Sequence, residues 1–228
     1  MSKSNDILTT LALYNVCALT TSKPDDVEYR IKLLRNEIKP LVDKESIKGR
    51  QEALHKAAFE GYFDICKMLI DSGIKPTYEA LHNAVWMCHY DIAELFLKAG
   101  VKPDMEGKEG VLHGACYKTY LKMAVLLIES GSDVKNISDR GDSVIMTAVK
   151  HFCNLGPPYT EDGLTNHGET DEFCELIKLL IDNGADRNLP SKGGETPVFV
   201  AACKDYKRVV DILLNYKIER KINESRGE

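Results

Sequence analysis

Apolar positions recur along the middle of the chain at helical spacing, and their pattern repeats. Leu54-His55-Lys56-Ala57, Leu81-His82-Asn83-Ala84 and Leu112-His113-Gly114-Ala115 share the form Leu-His-x-Ala, and a glycine stands 19 residues after each Leu: Gly73, Gly100 and Gly131. Before each glycine lies a short amphipathic run, DICKMLIDSG, DIAELFLKAG and KMAVLLIESG. Each copy therefore predicts two helices, the second stopped by a glycine that can enter the left-handed conformation a side chain disfavours. Two looser copies follow, one opening at Gly141–Phe152 and closing at Glu175–Asn188, the other at Gly193–Lys217. With Leu54, Leu81, Leu112, Ile145 and Val198 as equivalent positions, the spacings are 27, 31, 33 and 53 residues. Residues 5–20 and 25–43 predict two more helices, the second entered through Ser22-Lys23-Pro24-Asp25.

A helix pair with one apolar face cannot bury that face alone, whereas stacked pairs share one continuous core. The chain resembles the ankyrin repeat family, whose period is about 33 residues. The likeness rests on the three Leu-His pairs, Thr196-Pro197, Ala57-Ala58, Ala201-Ala202, Gly61 and Gly184-Ala185-Asp186, and covers residues 46–217. It implies an all-α ankyrin-repeat solenoid of stacked helix pairs with short or degenerate β-hairpin fingers and an N-terminal helical cap. The expected organisation is a cap over 1–48, five repeats (49–77, 78–106, 107–138, 139–190 and 191–217) and a disordered tail over 218–228. Small alanines in the first helix let neighbours approach. The recurring His55, His82 and His113 are expected to hydrogen-bond backbone within the turns.

The departures from the period carry information. Only seven residues, IKPTYEA, separate Gly73 from Leu81, so a tight turn replaces the finger there. Pro76 and Pro103 remove backbone donors where a finger would pair. Cys88 stands where the family has a turn glycine. The last spacing leaves an excess of roughly 20 residues over the period. The excess falls in an insertion, 153–172, whose glycines, prolines and acidic residues mark a loop carrying Tyr159, Leu164 and His167.

The formal charge of −5 supplies no global basic field, which disfavours nucleic acid. No stretch approaches the roughly 18 apolar residues of a membrane span, and the N-terminus reads as a helix rather than a signal peptide. Seven cysteines without a CxxC motif read as reduced thiols used as small hydrophobes, so a cytoplasmic location is expected. His151, Cys153, His167 and Cys174 have zinc-ligand chemistry but not a common zinc spacing. GVLHGACYKT resembles a phosphate loop, but Lys118 does not follow its glycine directly. There is no nucleophile elbow, HExxH or dinucleotide fingerprint. The reading is a non-enzyme with no cofactor.

The resemblance implies that another protein is bound on a concave face, by finger tips and by the two positions after Ala-Ala in each first helix. Those positions are Phe59-Glu60, Trp86-Met87, Tyr117-Lys118, Lys150-His151 and Cys203-Lys204. Phe59, Trp86 and Tyr117 are equivalent and predict a row of aromatics, with Tyr78 near Trp86; aromatics of this kind dominate interface energetics. Glu109 and Asp142, at the openings of the third and fourth repeats, and Tyr159 of the insertion complete the candidate contacts. Toward Lys118, Lys150 and His151 the surface is expected to turn charged. The function expected is a non-catalytic adaptor or an occluding inhibitor, with a pathogen, viral or phage effector, or an enzyme or ligand binder using the insertion, as alternatives.

Overall fold

The computed structural model describes residues 47–105, 109–152 and 170–226. Nearly all of the expected cap, most of the 153–172 insertion with Tyr159, and Cys17, Cys153 and His167 lie outside these residues. The chain divides into two compact units, Met1–Val101 and Lys102–Glu228.

In the first unit, α1 (Ile47–Glu60) pairs with α2 (Phe63–Asp71), and α3 (Tyr78–Trp86) with α4 (Tyr90–Lys98). First helices stack on first helices and second on second: α1 on α3, α2 on α4. The core is the predicted apolar set: Leu54, Ala57 and Ala58 of α1, Ile65, Cys66 and Leu69 of α2, Leu81, Ala84 and Val85 of α3, and Ile92, Ala93 and Phe96 of α4. The α1–α2 turn uses Gly61 at φ +83°, and the α3–α4 turn puts Cys88 in the same region at φ 61°. After α2, Gly73 at φ +92° ends the helix: its N–H donates to the carbonyl of Ile70, and that of Ile74 to Leu69. The chain then reaches α3 without a finger. Thr77 caps α3, its hydroxyl accepting from the Ala80 N–H, and shares a 2.8 Å hydrogen bond with Nε2 of His55.

Among the described residues the second unit holds three pairs: α5 (Val111–Tyr117) with α6 (Leu121–Glu129), α7 (Val144–His151) with α8 (Asp171–Asp182), and α9 (Pro197–Cys203) with α10 (Lys207–Arg226). First helices again stack in series, α5 on α7 on α9, as do second helices, α6 on α8 on α10. Here the fingers form. Ile137 and Ser143 make an antiparallel bridge around a tight turn, and the Ser191 N–H donates to Glu195 in the next one.

The insertion leaves the packing at its two ends closed. Phe152 and Phe173 stack with ring centroids 3.9 Å apart, and Tyr206 meets both edge-on. The helix after the insertion starts earlier than its acidic composition suggests. Thr170 accepts from the Phe173 N–H, and Asp171 and Glu172 lie in the first turn of α8, where the helix dipole favours them. At the other end α10 runs on to Arg226, so the expected tail is helical that far. Residues 217–226 contain neither Gly nor Pro, and most are good helix formers.

Candidate functional site

In the first unit the candidate residues gather at the C-terminal ends of α1 and α3. Ala57, Ala58, Ala84 and Val85 point into the core, and the next residues along each helix turn outward. Phe59 is 39% exposed, Trp86 38% and Met87 39%. These large apolar side chains sit where the helix surface meets water. Lys56 lies over the Phe59 ring at 5.4 Å and pairs with Glu60 at 2.7 Å. The Phe59 carbonyl accepts from Nε2–H of His89, which ties the end of α1 to the start of α4.

Trp86 is held in place by its own helix. Tyr78, His82 and Trp86 are spaced i, i+4 and i+8 on α3 and share a face. The Tyr78 and His82 rings are 6.4 Å apart, and His82 lies parallel to Trp86 within 9° at 6.2 Å. The three recurring histidines therefore divide. His113 is buried, whereas His82 is exposed and stands in an aromatic strip. The i, i+4 spacing to Tyr78 and Trp86 is the sequence signal for that strip.

In the second unit Tyr117, the expected third aromatic, is half-buried against His151, with centroids 4.3 Å apart. Lys118 caps α5, and its ammonium lies 5.8 Å from the Tyr117 ring centre. The expected charged end proves largely compensated from within. Lys150 bonds Asp142 at 2.8 Å and lies 3.6 Å from Glu195. Asp142 is 5% exposed, so it serves this internal pair rather than an open face. Burial, then the neighbouring Arg140 and Lys204, hold the His151 imidazole below the usual histidine value, with Asp142 opposing. His151 is therefore mostly neutral at neutral pH, which makes it an aromatic partner for Tyr117 rather than a cation.

Glu109 lies 3.9 Å from Nδ1 of His113. His113 itself is buried: its Nε2 bonds the Asn136 carbonyl at 3.1 Å and its Nδ1 the Thr147 hydroxyl at 2.9 Å. Cys66, Cys116 and Cys174 are buried as small hydrophobes, and burial pushes the Cys116 thiol up. Cys88 and Cys203 depart from that pattern and are exposed at helix ends. Among the described residues no group of three or more His, Cys, Asp or Glu is placed to hold a metal, and no helix is long and apolar enough to cross a membrane.

A family model described as ankyrin repeats, in three copies, matches residues 27–107. The Neurogenic locus Notch protein of Drosophila melanogaster is 30% identical over 114 residues. That alignment covers 47% of this chain and 4% of the fly protein, so the chain is similar to a small part of a much longer relative.

Proposed function

Because the chain belongs to the ankyrin repeat family, we propose that it is a non-catalytic module that binds another protein at the ends of its first helices. In this reading Phe59 and Trp86 are the anchors in the first unit, and the module acts as an adaptor or as an inhibitor that covers its target. The observation that carries it is the switch at the ends of α1 and α3. Ala57 and Ala58, and Ala84 and Val85, are buried, and the next side chains, Phe59, Trp86 and Met87, are large, apolar and exposed.

Single exposed apolar residues are common on any surface. Three at equivalent ends of adjacent helices form a patch of the kind that marks interaction sites. The Tyr78–His82–Trp86 strip adds preorganisation, because a ring already held in one orientation loses less entropy on binding. Truncating such an anchor costs about 2 kcal/mol or more, roughly a thirtyfold loss of affinity.

The test is affinity capture with the full chain from lysate of the cells it comes from, comparing wild type with Phe59→Ala/Trp86→Ala. The same protein should be recovered by wild type and lost by the variant, with the helical circular dichroism unchanged. Equal recovery by both would remove these residues from the site.

A further inference from the structure

We infer that the face of α9 and α10 turned away from α7 and α8 is a self-association surface, on which a second copy of this chain docks through the same two helices. It shares no residue with the partner site proposed above.

The repeats show that this face has the make-up of one that is covered. Each helix pair of the second unit presents equivalent positions to the pair that follows it. On the first helices these are His113 and Cys116 of α5 and Met146 and Val149 of α7, all buried. For His113 the cover is direct, since its ring bonds the Thr147 hydroxyl of the next first helix. On the second helices they include Ile177 and Ile181 of α8, buried in the helix on which α10 packs. In the last pair the same positions are Phe199 and Ala202 of α9 and Val210 and Leu214 of α10. No helix pair follows them among the described residues. Phe199 is 55% exposed and Leu214 52%, the two most exposed large apolar side chains among the described residues. Ala202 is exposed too, and Val210 is half-buried. A terminal repeat that ends a stack in water needs a polar outer face. Here the four positions keep the apolar character of an internal repeat.

What fits such a face is another helix pair of this kind, because that is what covers it at each earlier step, α5 by α7 by α9 and α6 by α8 by α10. The last pair can itself supply the cover. Each of its helices carries one large and one small apolar side chain about one turn apart, Phe199 with Ala202 and Leu214 with Val210. A two-fold axis crossing both helices between these positions lays α9 antiparallel on α9 of the second copy, and α10 on α10. Phe199 of one copy then meets Ala202 of the other, and Leu214 meets Val210. The same contacts recur in reverse, as a closed two-fold interface requires. Large against small lets the two helix layers approach to close packing.

The size of the face sets the strength. At about 1.5 Å rise per residue and roughly 10 Å width, the 20-residue α10 with the 7-residue α9 beside it offers a footprint on the order of 400 Å² per copy. That is below the roughly 800 Å² per partner of stable complexes, so the dimer is reversible and forms at high protein concentration.

The experiment is sedimentation velocity on the full chain from about 1 to about 300 μM, with reductant present because Cys203, next to Ala202, is exposed. The mass should rise from that of one chain toward that of two and stop there. Phe199→Ala/Leu214→Ala should raise the dimer Kd at least about tenfold, with the helical circular dichroism unchanged. Ala202→Trp adds apolar surface but fills the space that receives Phe199, so it should weaken the dimer as well. Phe59→Ala/Trp86→Ala should dimerise as the wild type does. A chain that stays monomeric over the whole range, an assembly that grows past two copies, an unchanged Kd in Phe199→Ala/Leu214→Ala, or tighter association in Ala202→Trp would overturn the inference. Loss of the dimer only in Phe59→Ala/Trp86→Ala would also overturn it and move self-association to the first unit. These readouts need no other protein, so failure here is separable from failure of the aromatic site.

Discussion

His113 carries two hydrogen bonds of opposite sense. A carbonyl can only accept, so Nε2 must donate to Asn136; in the neutral ring Nδ1 then accepts from the Thr147 hydroxyl. Burial lowers its pKa from 6.5, and the Glu109 carboxylate opposes the shift. The folded protein therefore binds this proton less readily than the unfolded chain. The stabilisation is complete above 6.5 and is lost as pH falls from there through the depressed folded value. Urea midpoints should drop on acidification below 6.5, and His113→Gln should flatten part of that drop, leaving a remainder of the same sign from His151. The structural role of His113 was legible in sequence, but not the partner of His55, which is the Thr77 hydroxyl rather than backbone, nor the exposed place of His82 between Tyr78 and Trp86. The turn residues were legible as well. Gly61 has φ +83°, and a Cβ there would lie 2.5 Å from Cε1 of His89. Cys88 occupies the equivalent turn at φ 61°. Gly61→Ala should cost roughly 1–3 kcal/mol in urea unfolding, and Cys88→Gly should stabilise by up to about 1 kcal/mol.

Helix starts were harder to place than helix ends. Glycines mark the ends of second helices, whereas the N-caps whose side chains accept a helix N–H are Thr77, Ser143, Thr170 and Thr196, residue types that also populate loops. Thr170 shows the difficulty. Its following acids resemble the insertion in composition, yet they stabilise the first turn of α8 through its dipole. Thr170→Ala should destabilise the second unit by about 1 kcal/mol. The Phe152–Phe173 stack closes the two ends of the insertion, so shortening the loop between them should cost little, because loop entropy changes slowly with length. Replacing residues 155–168 with a short Gly/Ser linker should retain the circular dichroism and the urea midpoint. A collapse of either would mean that the insertion is part of the core.

For the chain as a whole, repetition made the fold readable: a pattern seen three times at a fixed offset specifies helices, turns and buried face together. The surface lacked such redundancy. The exposure of Phe59 and Trp86 was legible because equivalent positions could be compared. The burial of Asp142 and the neutrality of His151 were not, since both depend on side chains brought together from separate repeats. The identity of the partner is chemistry on another molecule, and the chain encodes only the surface that would receive it. The proposed function turns on the end of α3 being open in the free protein and closed in the complex. The chain has one tryptophan, so acrylamide quenching of Trp86 reads that surface alone. Efficient quenching is expected in the free protein, with protection once the captured partner is added. A Trp86 already shielded in the free protein, or equally quenched with the partner bound, would refute it.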